Sequence, residues 1–258
     1  MYDTKYTLQT TVNGQLLLSM LAEMLMGIKD LQLIQINTDG LTVLIDREKV
    51  DEYYEICKQW EKITQLQLEF AEYKSMIIRD VNNYISVYTN GKYKCKGVFE
   101  FENIPLHKNK SYSIIPKAIF EYFVNNKPVH ETVYNHQNIF DFCAGVRSRS
   151  TEKSGKSWYE LWSLDDDKVK QEKLSKTVRY FISKGGKTLM KCYENGSYEH
   201  VEAPLDLGRV KRHWKVTYFN KSWKADMKDY KIDYIYYIHK INEIIHAIEG
   251  NRKQTSLF

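Results

Sequence analysis

Two short apolar runs, Leu31 to Ile36 and Leu41 to Ile45, flank the polar tetrapeptide Asn37-Thr38-Asp39-Gly40. Each run is rich in Leu, Ile and Val and has the length of a buried strand, and the four residues between them are of the kinds that reverse a chain, so the pattern predicts a tight hairpin. Upstream, Asn13 to Met26 predicts a buried helix of about three or four turns. Downstream, Arg47 to Gln65 alternates charged and apolar residues at helical spacing, the apolar set including Val50, Tyr53, Tyr54, Cys57 and Trp60. Leu66 to Tyr73, Met76 to Val81 and Tyr84 to Tyr88 predict three strands, closed by Thr89-Asn90-Gly91-Lys92.

Strand-like segments then give way, near Ile104 to Ser113, to a helix in which Pro116 suits the first turn, and a domain boundary is expected there. Thr177 to Ser183 and Lys187 to Tyr193, joined by Lys184-Gly185-Gly186, predict a second hairpin, while Gly145 to Ser157 reads as a polar, mobile loop. Asp233 to Ile248 predicts a closing helix with Ile235, Ile238, Ile241, Ile244, Ile245 and Ile248 close to one face, ended by a stop and polar tether at Gly250-Asn251-Arg252-Lys253. The fold class expected is α+β, and no internal repeat stands out.

With 258 residues and 43% hydrophobic content the chain can bury a core. No apolar run has membrane-spanning length, and the start lacks a charged-then-apolar signal pattern, so a soluble, cytoplasmic protein is expected. The four cysteines, Cys57, Cys95, Cys143 and Cys192, lie far apart and form no paired metal spacing. Net charge is +5, unevenly spread. Residues 147–231 hold 20 Lys and Arg against 12 Asp and Glu, the remainder 18 against 21. The basic stretches Arg147 to Lys156, Lys168 to Lys187 and Arg209 to Lys215 alternate with Trp and Tyr. Such side chains release counterions from phosphates and attract nucleic acid without regard to sequence, though many surface lysines serve only solubility.

Chemistry concentrates at Asp39. A carboxylate on a rigid hairpin tip is a natural ligand for a hard divalent cation that must meet phosphate oxygens. The same four residues, tolerant of positive backbone dihedrals, also suffice simply to turn the chain.

Asn37-Thr38-Asp39-Gly40 resembles the third palm motif of family B DNA polymerases, usually Asp-Thr-Asp-Ser between two strands. The resemblance gives Asp39 the role of the metal-binding catalytic aspartate; Asn37 and Gly40 depart from the motif, and Thr38 keeps it. The helix at Asn13 to Met26 resembles the palm helix behind those strands. Arg79 to Ile85 lies where the family carries a basic tetrad ending in tyrosine; Tyr84 matches, and the amides of Asn82 and Asn83 can still hydrogen-bond minor-groove acceptors that are alike for every base pair. A plain polar strand face explains the two asparagines equally well. Lys96-Gly97 resembles the Lys-Gly element before the thumb, where a compact ammonium beside a glycine can approach a phosphodiester, and Lys117 is a phosphate-contact candidate. The resemblance implies a palm-like antiparallel sheet with packed helices over residues 1–112 and a mixed, mainly helical thumb-like region over 113–250.

Residues 251–258 end in Gln254-Thr255-Ser256-Leu257-Phe258, which resembles the bacterial sliding-clamp-binding peptide. Gln254 would offer an amide, Ser256 the polar motif position, and Leu257 and Phe258 an apolar plug for the clamp. Missing are the family's earlier metal-binding motif, Asp-x-x-Ser-Leu-Tyr, and its fingers motif, Lys-x-x-x-Asn-Ser. The expectation is therefore the C-terminal portion of a phage-type DNA polymerase, taking primer-template DNA, deoxynucleoside triphosphates and two Mg2+ ions, and relying on an N-terminal partner for the rest of the metal site. The alternative is a non-enzymatic DNA-binding accessory tethered to a clamp. A phosphate-binding loop fails because Ser150 stands where Gly155-Lys156-Ser157 would need a glycine. No His-Glu-x-x-His or Gly-x-Ser-x-Gly supports a zinc protease or hydrolase, and His239 and His246 lie two helical turns apart, too far to share a metal.

Overall fold

The computed structural model describes residues 3–104, 111–148, 150–151, 155–163, 170–206, 211–219, 224 and 226–255, with the backbone alone at 150–151, 155, 170 and 251–255. The chain divides into two compact units, Met1–Asn82 with Ser86–Tyr93, and Asn83–Ile85 with Lys94–Phe258. It is an α+β protein with antiparallel sheets, as the pattern predicts.

The first unit opens with α1 (Thr4–Leu25), which begins nine residues before the expected apolar start. Asp3 caps it, accepting hydrogen bonds from the Lys5 and Tyr6 amides at 3.0 and 3.1 Å, so the N-terminal half, with Tyr6, Leu8 and Val12 exposed, extends the helix without a buried face. Only its second half is core. Leu21 and Leu25 pack with Ile28 against Cys57 and Trp60 of α2 (Val50–Thr64), and the Trp60 indole donates to the Leu17 carbonyl at 2.9 Å. Helix α2 stops where Gln65 turns left-handed at φ 59°.

Between the helices run β1 (Gln32–Ile36) and β2 (Leu41–Leu44), antiparallel, with Ile36 opposite Leu41. Leu41, Val43 and Ile45 pack on the α1–α2 core, which anchors the hairpin through one of its strands. After α2 the expected strand from Leu66 to Tyr73 is not formed. The segment instead runs along the helix, its Leu68 amide donating to Glu61 Oε1 at 2.7 Å and Phe70 lying edge-on to Tyr53 and Tyr54. Leu68 and Phe70 thus serve helix packing rather than a ladder, while Leu66 is exposed. Strands β3 (Tyr73–Asp80), β4 (Asn83–Tyr88) and β5 (Tyr93–Lys96) follow in that order in one sheet. The β4–β5 turn is the expected one, with Gly91 at φ 81°.

The second unit departs from a mainly helical thumb: its centre is a seven-stranded sheet. Helices α3 (Ile114–Asn125) and α4 (Val129–Asn135) precede the strands, with Pro116 in the first turn of α3 as expected. The strands are β6 (Cys143–Arg147), β7 (Ser150–Thr151), β8 (Gly155–Ser163), β9 (Lys170–Lys173), β10 (Thr177–Tyr193) and β11 (Tyr198–His200), then the paired β12 (Leu205–Asp206) and β13 (Lys211–Arg212), and β14 (Val216–Tyr218). Most of the described residues of the expected loop from Gly145 to Ser157 are therefore in strands.

Strand β10 is 17 residues long and continuous, so Lys184-Gly185-Gly186 is no hairpin turn. Its first half pairs with β6 and β14, its second with β8 and β11, and the register to β14 shifts between Ile182 and Lys187. The glycines form a bulge where the strand changes neighbours.

Helix α5 (Tyr234–Thr255) closes the unit against α3 and α4. Its buried residues are Tyr236, Tyr237, Ile241, Ile245 and Ile248, whereas Ile235 is exposed, because the two tyrosines take the core positions at that end of the helix. The Tyr237 hydroxyl accepts from the Ile182 amide at 3.0 Å and donates to the Phe142 carbonyl at 2.7 Å, tying helix to sheet with both polar groups satisfied in the core. Beside it Tyr112, Tyr180 and Tyr236 all donate to the Glu202 carboxylate at 2.5 to 2.6 Å, and burial raises their hydroxyl pKa values. Gly250 does not stop α5. The helix runs through it to Thr255, a single interior glycine costing only about 1 kcal/mol.

Candidate metal centre and nucleic-acid contacts

Asp39 sits at the tip of the β1–β2 hairpin, exposed, in the four-residue loop closed by the Asn37 amide donating to the Gly40 carbonyl at 2.8 Å. None of residues 37–40 is among those with positive φ, and a Cβ on Gly40 would meet nothing within 4 Å. The loop therefore does not draw on the left-handed tolerance of Asn, Asp and Gly. Nor do the side chains brace it: neither Asn37 nor Asp39 has a side-chain hydrogen bond or ion pair among the described residues. Thr38 is exposed as well. The Asp39 carboxylate is free toward solvent and is held by a strand pair rooted in the core.

One carboxylate does not make a metal cage. Among the described residues no cluster of three or more His, Cys, Asp or Glu is suited to a metal ion. Asp30 and Asp46 flank the opposite, open end of the hairpin, roughly 15 Å away by strand rise. Asp30 there pairs with Lys49, whose ammonium also donates to the Lys29 carbonyl. A divalent cation at the tip would take Asp39 as one oxygen ligand and need others from elsewhere. Within β1, Gln35 is buried and its Oε1 has no hydrogen-bond partner among the described residues.

Asn82 is exposed in the turn after β3, its amide donating to Asp80 Oδ1 at 3.0 Å. The remaining DNA-contact candidates belong to the second unit. Asn83 Oδ1 accepts from the Val98 amide at 2.8 Å, which ties β4 to the Lys96-Gly97 element. Gly97 adopts φ 67°, a conformation that favours glycine, and begins the 3-10 turn Gly97–Phe99. The position is thus one that backbone conformation reserves for glycine. The Tyr84 ring is buried, and the Lys96 ammonium lies 5.8 Å from its centroid. Asn83, Tyr84, Lys96 and Gly97 are thus brought together in space.

Lys117, on α3, is engaged. Its ammonium is 2.7 Å from Asp141 Oδ2, which His136 Nε2 also approaches at 2.5 Å. Burial alone would raise the Asp141 pKa, but the hydrogen bonds from His136 and Lys117 outweigh it and hold the carboxyl below its ordinary value. Gln254 lies in the last turn of α5, its side chain outside the described residues, as are Ser256, Leu257 and Phe258.

Two features were not legible as sites in the sequence. A cleft of about 370 Å3 lies beside Phe181, Phe219 and Tyr230, and none of the candidate residues lines it. Trp158, Trp162 and Tyr198 meet on one face of the sheet around Glu160, a grouping signalled beforehand only by the interleaving of Trp and Tyr with basic residues.

No protein-family model matches the sequence, and no curated protein matches it by sequence. Among solved structures, the family B DNA polymerase from the hyperthermophilic archaeon Pyrobaculum calidifontis is similar to it at 15% identity and a TM-score of 0.48. The similarity covers 96% of this chain and 30% of that polymerase, so the chain spans under a third of that protein's length. No described helix is long and apolar enough to cross a membrane.

Proposed function

We propose that this chain is the C-terminal, palm-thumb portion of a phage-type family B DNA polymerase, active in template-directed nucleotidyl transfer only with an N-terminal portion. The observation that supports it is the Asp39 carboxylate: exposed, without a partner among the described residues, carried by a core-anchored hairpin, and not needed by the turn it occupies. A charged side chain with no structural task, presented on a rigid element, fits a role toward an external ligand.

Asp39 is the residue that would hold Mg2+, together with carboxylates from the N-terminal portion. Mg2+, when bound, activates the primer hydroxyl and neutralises the departing pyrophosphate. The chain's other contribution is grip. Asn82, Asn83 and Lys96-Gly97 would meet the primer-template, and the basic surplus of residues 147–231 would hold the phosphates of its duplex. Lys117 would reach a phosphate only by giving up its ion pair with Asp141.

Primer extension tests the assignment. With magnesium and nucleotides the isolated chain should give no synthesis, and adding the N-terminal portion should restore it. Robust extension by the chain alone contradicts the partner requirement.

The terminal Gln254, Ser256, Leu257 and Phe258 would tether the assembly to a sliding clamp. Deleting residues 254–258 should weaken clamp binding by tenfold or more, roughly the loss of one anchoring hot-spot residue, and shorten products made with the clamp while leaving clamp-free synthesis unchanged. Equal clamp affinity for the shortened chain would remove the clamp from the proposal.

A further inference from the structure

Strands β8, β9, β10 and β11 form a sheet face unlike the rest of the surface. Along β8, Lys156, Trp158, Glu160 and Trp162 alternate with the buried Tyr159 and Leu161, so the four share one side. Lys173 of β9 stands opposite Glu160, and Tyr198 of β11 pairs with Cys192, itself opposite Trp158. Side chains directly opposite one another lie on the same face, so these residues converge.

Glu160 orders the group. Its Oε1 accepts the Trp158 indole N–H at 2.6 Å and its Oε2 accepts that of Trp162 at 2.8 Å, so each indole edge is pinned. Burial would raise the Glu160 pKa, but hydrogen bonds from the two indoles and the Cys192 thiol, together with the Lys173 ammonium, outweigh it and lower it. The Tyr198 ring lies 4.8 Å from Trp162 and is 60% exposed, and the Lys173 ammonium is 4.8 Å from the Trp158 ring. Neither Lys156 nor Lys173 is ion-paired among the described residues.

We propose that this face is a stacking platform for single-stranded DNA, with Tyr198, Trp162 and Trp158 receiving unpaired bases and Lys156 and Lys173 receiving the phosphates between them. The occupant follows from the chemistry. Two cations without a salt bridge among the described residues, one of them lying over an aromatic ring, complement a chain that carries phosphates and bare π-faces in alternation. A duplex keeps its base faces stacked internally and can use only the cations, and an apolar peptide would leave both ammonium groups unanswered. Rings held by Glu160 lose little freedom on binding. The inference goes beyond the polymerase assignment and does not rest on it, since it concerns binding by the chain alone.

The test is fluorescence anisotropy of the full chain with three labelled probes: a short oligo-dT, an abasic deoxyribose-phosphate oligomer of equal length, and a hairpin duplex. Tyr198→Ala changes an exposed ring, and an unaltered urea midpoint confirms the fold. It should weaken oligo-dT binding about tenfold while leaving the abasic and duplex affinities unchanged. Lys156→Ala with Lys173→Ala should weaken both single-stranded probes and lower the dependence of log affinity on log salt by about 1.4. Unchanged oligo-dT affinity in Tyr198→Ala overturns the proposal. So does an equal loss for the abasic or duplex probe, which would make the face a phosphate or duplex contact instead.

Discussion

Asp39→Ala is expected to reduce primer extension by the reconstituted polymerase by about 100-fold or more, because removing even an outer partner of a metal ligand typically costs 10- to 100-fold. Binding of primer-template should be retained or slightly tightened. The substitution deletes a negative charge from a surface proposed to face phosphates, and removes no contact that the fold uses. Stability should stay within about 0.5 kcal/mol, the ordinary range for an exposed residue without partners. This combination separates the catalytic assignment from the DNA-binding accessory, in which Asp39 is only a turn residue and no synthesis depends on it. Reconstituted synthesis that survives the change would remove Asp39 from the chemistry.

Gly186→Ala is expected to be the most damaging single-methyl change in the second unit. A Cβ at this position would stand 1.9 Å from the Val216 carbonyl oxygen and 2.4 Å from its carbon, with Ser183 Oγ at 2.8 Å. Val216 is buried in β14, and the atoms in the way are backbone, so a rotamer change offers no relief. Either β14 separates from β10 or the bulge opens, and the cost should reach about 3 kcal/mol or more. Gly185→Ala is the control, since its Cβ would meet nothing within 4 Å. Urea denaturation followed by circular dichroism should show a large fall in midpoint for Gly186→Ala and little for Gly185→Ala. Equal midpoints would mean that β14 does not approach the bulge so closely.

These two positions mark what local pattern can and cannot convey. Asp39 was conspicuous because its hairpin is short-range: Leu31 to Ile36 and Leu41 to Ile45 are neighbours in sequence and in space, and turn chemistry between apolar runs has few other solutions. That the turn does not need its acid became visible only from the dihedrals and hydrogen bonds of the folded loop. Lys184-Gly185-Gly186 between two strand-like runs has the same local appearance as a hairpin. It is a bulge because the halves of β10 find partners far away in sequence, Cys143–Arg147 and Val216–Tyr218 for one, Gly155–Ser163 and Tyr198–His200 for the other. The isoleucine stripe of α5 shows the same limit. Helical spacing named Ile241, Ile245 and Ile248 correctly but also Ile235, because periodicity cannot tell that the core would choose Tyr237, whose hydroxyl finds both an amide and a carbonyl there.

Taken by itself, the order of residues determined the α+β class, the helices behind the first hairpin, the turn that carries Asp39 and the concentration of positive charge in residues 147–231. Each of these depends on neighbours within a few positions or on composition, which a linear pattern contains in full. Tertiary structure alone decided that the second unit is built on a sheet, that Lys117 is paired with Asp141, that Gly186 lies against the backbone of Val216, and that two tryptophans and a tyrosine share one face around Glu160. Those outcomes depend on which distant segments meet, and that is settled by the free energy of burying the whole core rather than by the preference of any one stretch.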